Sequence, residues 1–146
     1  MQPAEQEVYS AAARARLRDK SEIIEVDAMG RPKEILLQFV EAFNNAEVDA
    51  LISLYDENAV NHQVANAPVI GKAAIKKMFE QEFSAAEMTC IVENIFEEGE
   101  WAIMEWKDPL GLCGCGFFQV QNDKIVFQRG YWDKLSFLKQ NNLPIE

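Results

Sequence analysis

The side chains of this chain best suited to chemistry are His62, its only histidine, the carboxylate of Glu105, and the thiols of Cys113 and Cys115. An imidazole titrates near neutrality, so His62 is equipped to move a proton between substrate carbons or to activate water. The same ring can equally serve as a structural hydrogen-bonding group. Glu105 lies in the largely apolar run from Trp101 to Lys107. On an apolar wall it would keep its proton to higher pH, in the range useful for proton transfer. At the solvated end of a strand, or paired with Lys107, it would be an ordinary surface charge. Cys113-Gly114-Cys115 resembles a metal-binding pair, yet period-two spacing in an apolar strand simply sets two small residues on one face. A closed zinc site needs four ligands, and the chain offers a single histidine. No metal and no other cofactor is expected.

With Cys90 the thiols number three, an odd count with no disulfide framework around it, which points to reduced cysteines in a cytoplasm. The 146 residues suffice for one domain, and a content of 49% hydrophobic and 26% charged residues is that of a globular protein with a buried core. Fourteen Lys and Arg against 24 Asp and Glu leave a charge of −10, and that field repels nucleic-acid phosphates and anionic lipid. There is no stretch of about eighteen apolar residues to span a membrane. Glu5 and Glu7 stand where a secretory signal would be basic and then apolar. Neither nucleic acid nor membrane is expected as a partner.

The elements that must position these groups follow from periodicity. Residues 1–30, with Arg14, Arg16, Arg18 and Lys20 after an alanine-rich stretch, read as a partly helical extension ahead of a domain over 31–146. From Pro32, a residue suited to a first helical turn, Ile35, Leu36, Phe39, Val40 and Phe43 recur at helical spacing. Val48, Leu51, Ile52 and Tyr55 mark a second helix ending near Asp56. A strand from Ala59 to Val64 and a loop with Pro68 precede a third helix opened by Gly71, with Ile75, Met78, Phe79 and Phe83 inward. After Ala86 the period becomes two, giving strands that begin near Cys90, over Trp101–Lys107, over Leu112–Val120 and over Lys124–Trp132. A helix over about Asp133–Asn142 closes the chain, with Asp133 as its cap. Helices, then a meander of strands, then a helix, make an α+β fold in which a curved antiparallel sheet wraps over three N-terminal helices.

The turn Asp108-Pro109-Leu110-Gly111 has type I composition and would pair Lys107 with Leu112. Glu105 would then oppose Gly114 and Ile103 oppose Gly116. Met104, Trp106, Cys113 and Cys115 would share the other surface. Two glycines on one face leave volume for a cavity, or alternatively mark a bend or bulge.

Several segments carry a family likeness. Phe39-Val40-Glu41-Ala42-Phe43-Asn44, Leu54-Tyr55-Asp56-Glu57-Asn58-Ala59-Val60 and Gly71-Lys72-Ala73-Ala74-Ile75 resemble the first half of SnoaL-like domains. Asn122-Asp123-Lys124-Ile125-Val126 and Arg129-Gly130-Tyr131-Trp132-Asp133, with the helix ending at Leu143-Pro144, resemble their second half. These domains belong to the nuclear transport factor 2-like superfamily, with its cystatin-like, cone-shaped fold. Ketosteroid isomerase, limonene epoxide hydrolase and polyketide cyclases are relatives. The resemblance, over residues 33–144, implies a deep apolar pocket and commonly a homodimer packed through the outer sheet face. It also implies cofactor-independent acid–base chemistry of isomerase, cyclase or hydratase type on a compact carbonyl compound. A non-catalytic ligand-binding or dimerisation module is the alternative.

Aligned through Asp56 to Val60, His62 falls where ketosteroid isomerase carries its catalytic carboxylate. With Glu105 it forms the expected catalytic pair. Phe39, Tyr55, Trp101, Ile103, Lys107, Gly114, Gly116, Phe118, Gly130 and Trp132 are the expected pocket lining. The positions matching the isomerase oxyanion donors are Phe39 and Gly116, which cannot donate through a side chain, so steroid isomerisation by that route is disfavoured. The last aspartate of the epoxide hydrolase set falls on Gly130. On the last strand the resemblance turns Gly130 and Trp132 inward, whereas a strict two-residue turn at Asn122-Asp123 would turn Arg129 and Tyr131 inward instead. With the former register the outer face bears Phe117, Trp106, Tyr131 and the two cysteines, a patch fit for a second copy.

Overall fold

A computed structural model of the protein describes residues 31–145, so the N-terminal extension lies outside the described residues. Helix α1 (Pro32–Asn44) opens with its proline in the first turn, and the Glu97 carboxylate accepts the Lys33 N–H at 2.9 Å. Helix α2 (Val48–Ile52) is shorter than its periodicity predicts. Tyr55 belongs instead to strand β1 (Tyr55–Gln63), because the Leu54 carbonyl already accepts the Ile125 N–H at 2.7 Å and draws the chain into the sheet. A two-residue strand, β2 (Val69–Ile70), occupies the expected loop, and Gly71 at φ 93° makes the left-handed turn into helix α3 (Lys72–Ala85).

Strands β3 (Ile91–Glu98), β4 (Trp101–Lys107), β5 (Cys113–Gln121) and β6 (Lys124–Trp132) form the meander, and helix α4 (Lys134–Gln140) ends it. Asp133 caps α4, accepting the Leu135 N–H at 3.3 Å. The sheet is curved and unclosed, in the order β2-β1-β6-β5-β4-β3, and antiparallel except where β1 lies parallel to β6. That parallel pair brings the first strand beside the last.

Two local features set which residues face the helices. In the β4–β5 loop the Asp108 carboxylate accepts the N–H groups of Leu110 and Leu112, both at 2.9 Å, and Gly111 sits at φ 97°. The loop therefore closes on Asp108 and Leu112, and Lys107 pairs with Cys113, one residue from the expected register. A shift of one residue exchanges the faces. Ala102, Met104 and Trp106 lie on the helix side with Gly114, Gly116 and Phe118, while Ile103, Glu105 and Lys107 lie on the far side with Phe117, Cys115 and Cys113.

At the other hairpin Asn122 and Asp123 have φ of 51° and 62°, the backbone of a two-residue type I′ turn. Gln121 pairs with Lys124 and Val120 with Ile125, but Gln119 pairs with Phe127, so Val126 is an extra residue bulged out of β6. The tight turn and the inward Gly130 and Trp132 thus coexist. Between sheet and helices, Phe39 packs against Phe118, Phe43, Phe79 and Tyr55 with ring centroids 5.1–6.5 Å apart. Asn44 ties the end of α1 to the start of β3 through both backbone groups of Cys90, at 3.0 and 2.7 Å.

Candidate functional site

The helix side of β1 and β6 carries polar side chains where an apolar core would need none. Asn61 and Gln128 are 1% and 6% exposed and face each other across the parallel pair, and Gln63 faces Gly130. Buried amides are costly unless hydrogen-bonded, and these are bonded to one another. The Trp132 indole N–H donates to Gln63 Oε1 at 2.9 Å, Gln63 Nε2 to Asn61 Oδ1 at 2.8 Å, and Asn61 Nδ2 to Gln128 Oε1 at 3.1 Å. The Tyr55 hydroxyl donates to the same Gln128 oxygen. The result is a ladder from β6 to β1, back to β6, and on to the phenol at the start of β1.

Beside it stands Glu82 of α3. Burial pushes its carboxyl up from the ordinary 4.5 to about 7. Burial also holds the Tyr55 phenol well above its usual range. The Glu82 charge raises it further, while the Asn61 hydrogen bond works against both. Glu82 therefore lies close enough to Tyr55 for the two to interact electrostatically. A carboxyl poised near neutrality, next to a neutral phenol and a chain of amides, can exchange a proton with a bound molecule.

The glycines on this face do not leave the volume their composition suggests. A side chain at Gly114 would meet the Trp106 ring, one at Gly116 the Phe118 ring at 2.9 Å, and one at Gly130 the Gln63 amide. Their missing side chains admit these neighbours. Helix α4 crosses the Trp132 end of the sheet. Phe137 packs on Trp132 at 5.4 Å, Lys134 reaches Asn66 at 3.1 Å, and Gln140 reaches Asp108 at 2.6 Å. An open groove of about 350 Å³ lies elsewhere, lined by residues including Glu34, Gln38, Asp123 and Lys124 near the β5–β6 turn. It lies at the opposite end of β6 from Trp132.

Of the expected site residues, the structure brings Tyr55, Gly114, Gly116, Phe118, Gly130 and Trp132 to the helix side of the sheet, with Phe39 packed over them from α1. The expected catalytic pair is not among them. His62 pairs with Arg129 on the far side, because the parallel register turns its neighbours Asn61 and Gln63 inward. Glu105 is on the far side too, exposed and accepting a hydrogen bond from Asn94 at 2.8 Å. Lys107 forms an ion pair there with Glu93 at 3.0 Å. Ile103 opposes Phe117, and Trp101 packs on Phe127 at 6.2 Å. Trp106, expected outside, covers Gly114 inside.

Glu82, Asn61, Gln63 and Gln128 had no place in the expected site. The signal for Glu82 was present: it follows Ile75 by seven residues and Phe79 by three, an acid on the apolar stripe of α3. Asn61 and Gln63 flank His62, and only the register separates them from it.

The model of the SnoaL-like domain family matches residues 36–128. No curated protein sequence matches the chain. Among solved structures, an epoxide hydrolase of Mycobacterium tuberculosis resembling limonene epoxide hydrolase is 20% identical, with a TM-score of 0.65 over 72% of this chain and 84% of that one. The epoxide hydrolase/cyclase-like enzyme SalBIII, which has a role in pyran ring formation in the polyether salinomycin, is 21% identical, with a TM-score of 0.64 over 71% and 92%. A Catenulispora acidiphila protein with a ketosteroid isomerase-like fold, in complex with trimethylamine, is 16% identical, with a TM-score of 0.67 over 76% and 94%.

Proposed function

Because the chain belongs to the SnoaL-like domain family, we propose that it is a small-molecule enzyme of that type, with Glu82 as the group that gives and takes a proton. The substrate is a compact, largely apolar carbonyl compound seated against the Tyr55–Gln128–Asn61–Gln63–Trp132 ladder. Glu82 in its ionised form removes a proton from the carbon next to the carbonyl and returns it, or passes it to another atom, as isomerase or cyclase chemistry requires. That step calls for neither metal nor nucleotide. The observation that carries this reading is a carboxyl on the inner stripe of α3, raised to about 7 beside a buried phenol.

Relatives of the same fold that bind trimethylamine or act in ring formation support a small-molecule ligand. The test is proton exchange in D₂O, followed by proton NMR, over a panel of cyclic ketones and β-diketones. Exchange at the carbon beside the carbonyl, lost in Glu82→Gln with the fold retained, supports the assignment. Equal exchange in the variant refutes it.

The outer face of the sheet favours a second role, as the homodimer interface. Arg129 sits there with its guanidinium 5.4–5.8 Å from the rings of Phe117, Phe127 and Tyr131, and its buried Nε has no hydrogen-bond partner. A second copy would cover the rings. A module that dimerises and binds a ligand without transforming it is the alternative to the enzyme. Native mass spectrometry separates them, since a co-purified ligand recovered unchanged after long incubation favours the binder.

A further inference from the structure

The ladder has a direction, and its origin lies in Trp132. An indole nitrogen can only donate, so the Gln63 atom facing it at 2.9 Å must be the amide oxygen. That choice commits every later rung. The Gln63 nitrogen faces Asn61, whose facing atom must be its oxygen, and the Asn61 nitrogen faces the Gln128 oxygen. The Tyr55 hydroxyl, which can donate or accept, is left to donate to that oxygen. Gln128 is thus fixed with its oxygen accepting two hydrogen bonds, while its Nε2 makes none to any described residue. Among the described residues only Arg129 Nε is both fully buried and unpartnered, so the Gln128 nitrogen keeps an accessible edge, open to a ligand atom that accepts its hydrogens.

We infer that Trp132 is a positioning residue that fixes the ladder's polarity, so that the site recognises its ligand through an acceptor oxygen bonded to the Gln128 amide. This rests on the reading that a carbonyl compound binds against the ladder, and it names the group that holds the carbonyl oxygen. The same amide would stabilise negative charge developing on that oxygen as the adjacent carbon loses its proton. Chemically, the spare capacity contributed by Gln128 is donor only. A ligand presenting an N–H at this point would meet another N–H.

Two small ring compounds test this on the full-length protein without any need for turnover. Cyclopentanone offers only an acceptor, and pyrrole offers an N–H donor with no in-plane acceptor. Titrations followed by ¹⁵N-resolved NMR of the side-chain amides are expected to show cyclopentanone binding at least about tenfold more tightly than pyrrole and shifting the Gln128 resonances. In Trp132→Phe, which keeps a ring against Phe137 but removes the N–H, the amides are free to reverse, and the preference is expected to fall below about threefold. Gln128→Glu, which replaces the donor by an acceptor, is expected to abolish cyclopentanone binding. The inference is overturned if neither probe binds the wild type, if pyrrole binds as well as cyclopentanone, or if the preference survives in Trp132→Phe. Loss of proton exchange in Glu82→Gln reports on the catalytic reading separately, since this preference does not involve Glu82.

Discussion

At the scale of single residues, Glu82 links the proposed chemistry to stability. In the unfolded chain its carboxyl ionises near 4.5, and in the fold near 7. Between those values the native state holds a proton that the unfolded state has lost, so stability falls as pH rises through the window and levels off above it. Glu82→Gln removes the charged form that burial penalises. Its stability relative to the wild type is expected to be unchanged near pH 4 and higher by about 3 kcal/mol at pH 8, measured by urea denaturation at both. In the proposed chemistry the same ionisation acts with opposite sign: proton abstraction requires the carboxylate, so the exchange rate is expected to rise as pH passes about 7. Cysteine behaviour follows from burial alone. The Cys90 thiol is pushed up to about 11, whereas Cys113 is exposed and Cys115 half-buried. A thiol reagent at pH 8 is therefore expected to label Cys113 quickly and Cys90 only on unfolding, as peptide mass mapping would reveal.

At the scale of elements, the consequences lie in how strands and helices are joined. Asn44 spans from α1 to β3 with two hydrogen bonds to one residue's backbone. Asn44→Ala leaves both groups of Cys90 without that partner and is expected to cost about 1–3 kcal/mol in urea denaturation. Gly130 supports Gln63, so Gly130→Ala is expected to dislodge that amide and move the Trp132 indole N–H resonance while the far-UV circular dichroism stays native. The elements themselves were legible in the sequence, because helical and strand periods are local: Pro32–Asn44, Lys72–Ala85 and Trp101–Lys107 emerge almost residue for residue. The register was not, because it depends on single contacts. One Asp108 carboxylate reset the β4–β5 pairing and carried Glu105 to the outside, and one bulge at Val126 let a two-residue turn coexist with an inward Trp132. His62 was an appealing base by type, but in a strand the choice between it and Asn61 belongs to the neighbouring strand.

At the scale of the whole molecule, the sheet separates the two proposed working surfaces: amides toward the helices, where α3 carries Glu82, and rings with Arg129 toward the outside. If a second copy covers the outer rings, sedimentation velocity should find a dimer, and Tyr131→Asp, a charge placed where a residue 42% exposed now stands, should shift it to monomer. A monomeric wild type would refute that interface. Both surfaces are read from the same strand, with Gln128, Gly130 and Trp132 on one side of β6 and Phe127, Arg129 and Tyr131 on the other. The Val126 bulge alone determines which set goes where. Loss of that single codon would slide the strand end by one position, turning the guanidinium into the oily interior and the indole out to water. The proposed ligand site and the proposed subunit contact are thus yoked by one hinge of reading frame in space, and neither can drift in register without taking the other with it.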